Sequence, residues 1–412
     1  MLIDCSKVPN KKKSAICKHA SSFSFAVFDS VSMIHEKHWN EIAENKDEFL
    51  QLPYLTALEN TPPSNMRFHY ALIYDNKIPV ALAYFQVLDF TADNFTNLFD
   101  EADESYFSGI RKHITNHILK NVDKLNMRLL ICGNAFVSGE HGFLYTSEIK
   151  PIEAFDALAD VIYRISRSEK LRGKIAAVLV KDFYKTSVKH AKELEEFKYH
   201  DFLVEPNMIL KIESVWNTFD DYLNAMSKKY RSRAKGIIKK GNVIERKTFG
   251  LEEIKLHSKE IHELYSEVLS KAKFRLATLP LEYFSEMKKK MKESFQITGY
   301  FFNEKFVGFK SSFLLKNELE AHFVGIDYSL NKEYELYQNI LYDYVKDAIA
   351  ADKKILHLGR TASEIKSNIG AKAHELTCYA RHRNPLSNRI IKPLIDHLQP
   401  EEWTPRNPFK EE

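Results

Sequence analysis

The chain is poor in the residues that interrupt secondary structure. Among 412 residues only 13 are glycine and 13 proline, about 3% of each where soluble domains average nearer 7% and 5%. So few turn formers exclude a many-stranded sandwich or propeller, in which every short strand needs its own turn. Cysteine is scarcer still. Cys5, Cys17, Cys132 and Cys378 are scattered and form no C-x-x-C pair, a pattern of reduced thiols that argues against a disulfide frame or a thiolate zinc site. The longest purely apolar runs, Ile175 to Val180 among them, are far below the roughly 18 residues of a spanning helix. The polar stretch Lys7 to Ala20 lacks the apolar core of a secretory signal, so a cytoplasmic location is expected. An excess of one charge is also lacking: 60 Lys+Arg against 56 Asp+Glu leave +4, too near balance to argue for nucleic acid.

What remains is an ordinary folded composition, 44% hydrophobic and 28% charged, in a chain long enough for two or three domains. After a loose arm (residues 1–20), Phe23 to Val31 alternates as a half-buried strand should. Short helices follow at 35–45 and 53–59, then a hairpin of Phe68 to Tyr74 and Pro79 to Leu88 across Asp75-Asn76-Lys77. A polar, helical insertion at 93–125 joins a strand at Met127 to Cys132. The chain's one glycine cluster, Gly133 to Gly142, comes next, then a helix (151–170), a strand (174–181) and a helix (186–197). The second half starts with a helix at 219–240, a strand at 242–249 and helices at 251–271 and 283–291. A meander at 295–302, 305–315 and 318–327 leads to a helix at 333–351, a strand at 354–359, a short helix at 362–369 and a strand at 375–381. Both halves read helices, antiparallel meander, helix, strand, helix, strand, which is an internal repeat of element order. The expected domains are 21–212 and 213–384, followed by a tail at 385–412.

Three passages carry a family resemblance. Ala225-Met226-Ser227-Lys228-Lys229-Tyr230-Arg231-Ser232-Arg233, continuing to Lys240-Gly241, is a basic helix opening the second half. Gly299-Tyr300-Phe301-Phe302 through Gly308 and His322-Phe323-Val324-Gly325-Ile326-Asp327 form the central meander. Leu356-His357-Leu358-Gly359-Arg360 precedes Glu364-Ile365-Lys366 and Ile369-Gly370-Ala371. With the repeated order, these passages resemble the FemAB-like tandem GNAT acyltransferases over nearly the whole chain. The resemblance implies an α/β (α+β) fold of two tandem GNAT-like units, each a mixed, mainly antiparallel sheet flanked by helices. In overall pattern the chain looks most like bacterial N-acyltransferases that acylate long-chain amines, as in ceramide-type or sulfonolipid synthesis. That likeness implies acyl-CoA or acyl-carrier protein as donor substrate, no bound cofactor, an amine acceptor of lipid character and a peripheral contact with the inner face of the membrane. Two departures stand out. The Q/R-x-x-G-x-G/A pyrophosphate loop is absent from Ser329 to Tyr337, and no heptad arm marks a peptidoglycan-building member. Aminoacyl transfer to a peptidoglycan precursor and a non-catalytic protein binding lipid or anionic ligands are the alternatives.

Acyl transfer to an amine needs a base with pKa near 7, stabilisation of an oxyanion and a proton for the leaving group. His322, His357 and His141 are the candidate catalytic residues. His322 is expected on the strand face of Glu318 and Glu320, with Ala321, Phe323 and Gly325 on the other; the competing reading is a half-exposed residue of a charged face. Gly325 and Asp327 are candidate substrate-binding positions, with a bulge expected at Gly325. Arg360 can hold a carboxylate, sulfonate or phosphate, or simply pair with Glu364; Lys366 follows it. Gly133, Asn134, Gly139 and Gly142 supply backbone N–H groups for an anion, or a relaxed connection. Phe274 and Arg275 sit in an apolar loop suited to an acyl chain or to ordinary packing. The basic helix has seven Lys/Arg and no acid between Ser227 and Lys240, a face for phosphates, carrier protein, anionic lipid or RNA, or for solvent alone. No metal site is expected: His113 and His117 lack a third ligand, and no nucleophile elbow, P-loop or dinucleotide fingerprint occurs.

Overall fold

Strand-forming segments rich in aromatic and β-branched residues pair across the whole chain. The computed structural model describes residues 23–91, 126–169, 174–271, 277–395 and 403–410. The N-terminal arm, the 93–125 insertion with His113 and His117, and the loop with Phe274 and Arg275 lie outside them. The first half in chain order contributes β1 (Ser24–Phe28), β2 (Met66–Asp75), β3 (Ile78–Thr91), β4 (Asn126–Cys132), β5 (Phe143–Tyr145), β6 (Ile175–Tyr184) and β7 (His200–Lys211). The second contributes β8 (Glu245–Thr248), β9 (Phe295–Phe302), β10 (Lys305–Leu314), β11 (Glu318–Ile326), β12 (Ile355–His357) and β13 (Lys372–His382). They form one 13-stranded sheet in the order β1-β2-β3-β4-β6-β13-β7-β12-β11-β10-β9-β8, with β5 set against β3. The pairing is antiparallel except at β4–β6 and β11–β12. Helices flank this sheet, so the α/β architecture of two like units holds.

The order of strands shows an exchange. β1-β2-β3-β4-β6 on one side mirrors β8-β9-β10-β11-β12 on the other. Each half's final strand then leaves its own sheet: β13 pairs with β6 of the first half, β7 with β12 of the second, and the two pair with each other. The division at residue 212 is therefore one of chain order, and the hydrogen bonding runs across it.

Burial follows the same plan. One apolar cluster covers the outer face of the first half around Phe155, Leu158, Ile162 and Phe183, and another that of the second around Tyr222, Ile340, Tyr344 and Leu356. The third is shared: Trp39, Tyr54, Leu58 and Tyr84 pack with Tyr283, Phe295, Phe309 and Phe313. At about 25 cal/mol per Å² of apolar surface, so many buried aromatic rings make separation of the halves costly.

Several expected elements change at their ends for identifiable reasons. The expected helix 219–240 is two, Phe219–Ala225 and Lys228–Gly241, because Met226 forms a β-bridge with Phe409 and Ser227 is extended. The C-terminal segment thus docks here, with Phe409 against Trp216 and Tyr222. The helix expected at 251–271 also divides, at His257, into Leu251–Leu256 and Ser258–Ser270. One apolar stripe of the basic helix faces inward, with Ala234 and Ile237 buried and Tyr230 and Ile238 packed beside them.

The strand exchange predicts that neither half folds alone. Expressed separately, residues 1–212 and 213–412 are expected to lack cooperative thermal unfolding by circular dichroism. Co-expressed, they are expected to elute from gel filtration as one complex.

Candidate active site

Several polar residues buried between the halves lie at irregularities of the central strands, among them two bulges, in β6 and β11, and the turn after β12. β6 bulges where Thr377 pairs with Phe183 but Tyr379 pairs with Val180, placing the extra residues Lys181 and Asp182 at the sheet's centre. Asp182 takes the left-handed region at φ 68°, tolerable for aspartate at a cost of about 1 kcal/mol. β11 bulges between Ala321 and Val324, opposite Ser312 and Lys310. The Ser311 hydroxyl bonds both the N–H and the carbonyl of Phe323 there, at 2.9 and 3.0 Å. The third irregularity follows β12, where Gly359, Thr361 and Ala362 all have positive φ. The buried Lys366 ammonium holds that turn, donating to the carbonyls of Gly359 (3.3 Å) and Arg360.

The β11 bulge corrects the expected facing of the strand. Glu320 and His322 share a face as the alternation predicts, but the extra residue turns Phe323 and Gly325 onto that face too. Phe323 packs on Tyr265 and Phe284 in the shared core, and a Cβ at Gly325 would meet the Phe309 ring at 2.4 Å. The bulge lies at His322-Phe323 rather than Gly325. His322 is partly exposed, and its surroundings are aromatic: Phe295, Phe313 and Phe323 lie around its ring, and the Tyr283 hydroxyl lies 2.7 Å from Nε2. Burial lowers its pKa to about 3, so it is neutral throughout the physiological range. Asp327 lies at the strand's end, capping the next turn through Ser329 and pairing with Lys305 at 3.0 Å.

His141 and His357 come together, from opposite halves, around Glu320. His357 Nε2 lies 2.8 Å from Glu318 Oε2, and its Nδ1 lies 3.8 Å from Glu320 Oε2 and 3.2 Å from Asn207 Nδ2. His141 Nδ1 lies 2.9 Å from Asp47 Oδ2. Burial opposes protonation of His141, but Asp47, Glu320 and Asp182 outweigh it and raise the pKa to about 9. His357 is also raised, burial being overcome by Glu318 and Glu320. Glu320 is 4% exposed, and burial pushes its carboxyl up to about 7 despite both histidines. Lys366 is lowered to about 7 by burial, against Glu205 and Glu320. Glu320 and Lys366 thus change charge near neutrality beside two histidines whose pKa values are raised, and strongly shifted groups gathered in this way are enriched at functional sites.

Around them lies a second polar layer. Asp182 pairs with Arg360 and with Lys181, the latter at 2.6 Å. Burial raises the Asp182 pKa, yet these two cations bring it to about 2. Arg360 therefore pairs with Asp182 and not with Glu364, whose partner is Arg406 at 2.7 Å. Tyr184 accepts from Asn207 at 2.9 Å. Asn207 Oδ1 and Arg360 Nε are buried without hydrogen-bond partners, one free acceptor and one free donor. The most exposed side chains of the cluster, Glu318, Arg360 and His141 at 38%, 24% and 21%, mark its solvent-facing side, or mouth.

The glycine cluster helps to build this site. It runs into β5, not a helix, which corrects its expected position. Gly142 touches the backbone of Gly133, where a Cβ would approach its N to 2.4 Å. Gly139, at φ 126°, donates its N–H to Asp182 at 3.3 Å. Asn134 is buried, donating to Tyr54 and accepting Lys181 on its carbonyl, both at 2.9 Å. Among the described residues no group of His, Cys, Asp and Glu could hold a metal ion, and no helix is long and apolar enough to cross a membrane.

Sequence reasoning found His141, His357, Arg360 and Lys366 but passed over Glu320, Asp47, Asp182 and Asn207. Glu318-x-Glu320-x-His322 reads as the alternating polar face of a strand, which conceals Glu320. For Asp47, nothing local distinguishes it from a helix cap.

No family model matches the sequence, and no curated protein does. Solved structures do resemble the fold. The crystal structure of FemX aligns with a TM-score of 0.54 at 11% identity, covering 89% of this chain and 100% of that one. A tandem GNAT protein from the clavulanic acid biosynthesis pathway aligns with a TM-score of 0.52 at 6% identity, covering 88% and 99%. The chain has the tandem GNAT, FemAB-like fold.

The cluster predicts a pH signature. Native Glu320 holds its proton up to about pH 7, whereas an unfolded glutamate releases it near 4.5. Stability therefore falls as pH rises through that window, by on the order of 3 kcal/mol. Glu320→Gln should flatten the loss between pH 5 and 7 in urea titrations. His141 acts later, its contribution present below 6.5 and lost through about 9.

Proposed function

We propose that the protein is an N-acyltransferase, forming an amide between an activated acyl group and an amine at the mouth between the two halves. The observation that carries this reading is Glu320, a buried carboxyl with pKa near 7 between His141 and His357. A base must be ionised to accept a proton yet basic enough to hold it, and that value satisfies both at neutral pH. Asn207 Oδ1, an acceptor without a partner, suits an amine N–H. In the step proposed, the amine nitrogen bonds to the acyl carbon while Glu320 takes its proton. The bond from carbon to the donor's leaving sulfur then breaks, and Lys366, with pKa about 7, is the group that can protonate the departing thiolate. His141 and His357 keep the Glu320 carboxylate accessible by offsetting its charge. His322 serves packing: it lies in an aromatic enclosure and touches Tyr283, not the mouth.

The donor we favour is acyl-CoA or acyl-carrier protein, a substrate and not a resident cofactor. The acceptor we favour is a long-chain amino lipid, such as a sphingoid base or a sulfonated analogue. That choice rests on the resemblance of the chain's overall pattern to bacterial long-chain amine acyltransferases. A lipid acceptor implies work at the inner membrane face, for which Leu386, exposed on the helix Pro385–Ile395, is suited.

The test is turnover of long-chain acyl-CoA and acyl-carrier protein with a panel of amines, read by free thiol and lipid mass spectrometry. Amide product with long-chain amines alone is expected. Product with short amines alone overturns the lipid acceptor; RNase-sensitive turnover with aminoacyl-tRNA alone moves the reading to aminoacyl transfer. No turnover with any donor leaves a binding protein. Glu320→Gln is expected to lower kcat by about 10²- to 10⁴-fold and to abolish the rise of rate with pH through 7, with the fold intact by circular dichroism.

A further inference from the structure

The basic helix takes no part in the central cluster, yet it builds a cavity of its own. Lys228–Gly241, the short helix Ser363–Ser367 and the C-terminal segment enclose a volume of about 410 Å³. Lys229, Tyr230, Arg233, Asn368 and Arg406 line it, beside Glu364. Lys229 and Arg233 are one turn apart, so both side chains reach the same wall. Neither forms an ion pair with a described residue. Arg406 and Glu364 neutralise each other through Nε and Nη2 at 3.1 and 2.7 Å on one carboxylate oxygen. Two positive charges therefore remain uncompensated in a concave site.

The walls are fixed in place. Pro408 accepts the Ser227 N–H at 2.9 Å, and the Arg406 N–H donates to Ser367 Oγ at 3.1 Å. Phe409 is packed on Trp216 and Tyr222, and the space beside Gly370 is filled by its ring. Helix packing is secured by buried Ala234 and Ile237. A ligand here need not order the tail or the helix before binding.

We propose that this cavity binds a phosphate monoester, the phosphorylated end of one of the protein's two substrates. Charge chooses the class: a monoester carries nearly two negative charges at neutral pH, matching Lys229 and Arg233, whereas a carboxylate carries one. Arg233 can donate in a fork to two oxygens. The volume exceeds a phosphate group, and the half-buried Tyr230 ring provides a flat wall for what the phosphate is attached to. A concave site closed by the tail favours a small group over an extended polyanion. The helix Ser363–Ser367 links the cavity to the chemistry, since Ile365 lines the cavity while the adjacent Lys366 is buried beside the central carboxyl. Naming the ligand as a substrate rests on the transferase reading; the binding itself does not.

Calorimetric titration of the full chain with inorganic phosphate, adenosine 3′,5′-bisphosphate and phosphoethanolamine tests this. Saturable binding is expected, weakened at least about tenfold in the Lys229→Ala/Arg233→Ala double variant. Both side chains are exposed, so the melting temperature should not move, and Lys239→Ala should bind as the unaltered protein does. Preference for the bisphosphate assigns the cavity to a nucleotide-bearing donor, and preference for phosphoethanolamine to a headgroup. Absence of saturable monoester binding, or equal affinity in the double variant, overturns the proposal. So does salt-sensitive binding of an RNA oligomer without monoester binding. Because no turnover is read, failure here leaves the transferase reading standing, and failure of the amine panel leaves this result standing.

Discussion

The pairing of β7 with β13 is the constraint on which the rest of the structure depends. Each strand is the last of its own half, and each is hydrogen-bonded to the other half's sheet as well. A simple contact between two finished domains can slide or open, as most inter-domain interfaces do. Here opening would break strand ladders, so the position of one half is tied to that of the other. The candidate site depends on this. Lys181 and Asp182 on β6, Asn207 on β7 and His357 on β12 sit in the exchange or in the strands adjoining it, and Glu320 is on β11, one strand further out. Asp47 and His141 reach them from first-half loops.

This arrangement explains how so much charge is tolerated in the interior. A lone buried carboxylate is expensive, and a buried ion pair seldom repays its desolvation. Asp182 meets that cost with two cations, a thiol and a backbone N–H, and it ionises readily. Glu320 is treated differently. No cation touches it closely; the nearest contact is His357 at 3.8 Å. The two acids lie in one sheet and differ in state because one is fully paired and the other is not. The pairing of Asp182 is thus complete, while Glu320 keeps a carboxyl whose charge is free to change near neutrality.

Much of the fold is legible in the sequence because its elements are long and periodic. The meander, the amphipathic helix Pro151–Ser168 and the basic helix carry their patterns within a few residues. The repeat of element order points to two like units. The exchange of final strands has no local signature, since β7 and β13 alternate in the same way whichever edge they join. The site was legible in part. His141, His357 and Arg360 stand out as polar residues near strand ends and glycines. Glu320 does not, because strict alternation reads Glu318-x-Glu320-x-His322 as a solvated face. Two facts invisible in the sequence overturn that reading: the first half covers this face, and a bulge turns Phe323 inward beside His322.

Arg360 shows how the two layers of the site bear on function. Its guanidinium is the strongest anion receptor near the mouth, yet Asp182 already holds it. An anionic substrate group would have to compete with a buried carboxylate whose pKa is about 2, a poor exchange in a low-dielectric interior. Arg360 is better placed to fix Asp182, and through it Lys181 and the Gly139 N–H, than to seize a ligand's charge. Its unpartnered Nε leaves one neutral contact, of the kind a polarised carbonyl can accept. A group that meets Arg360 there meets a guanidinium already matched by Asp182, so the carboxyl left free to change its charge near neutrality is Glu320 and not Asp182.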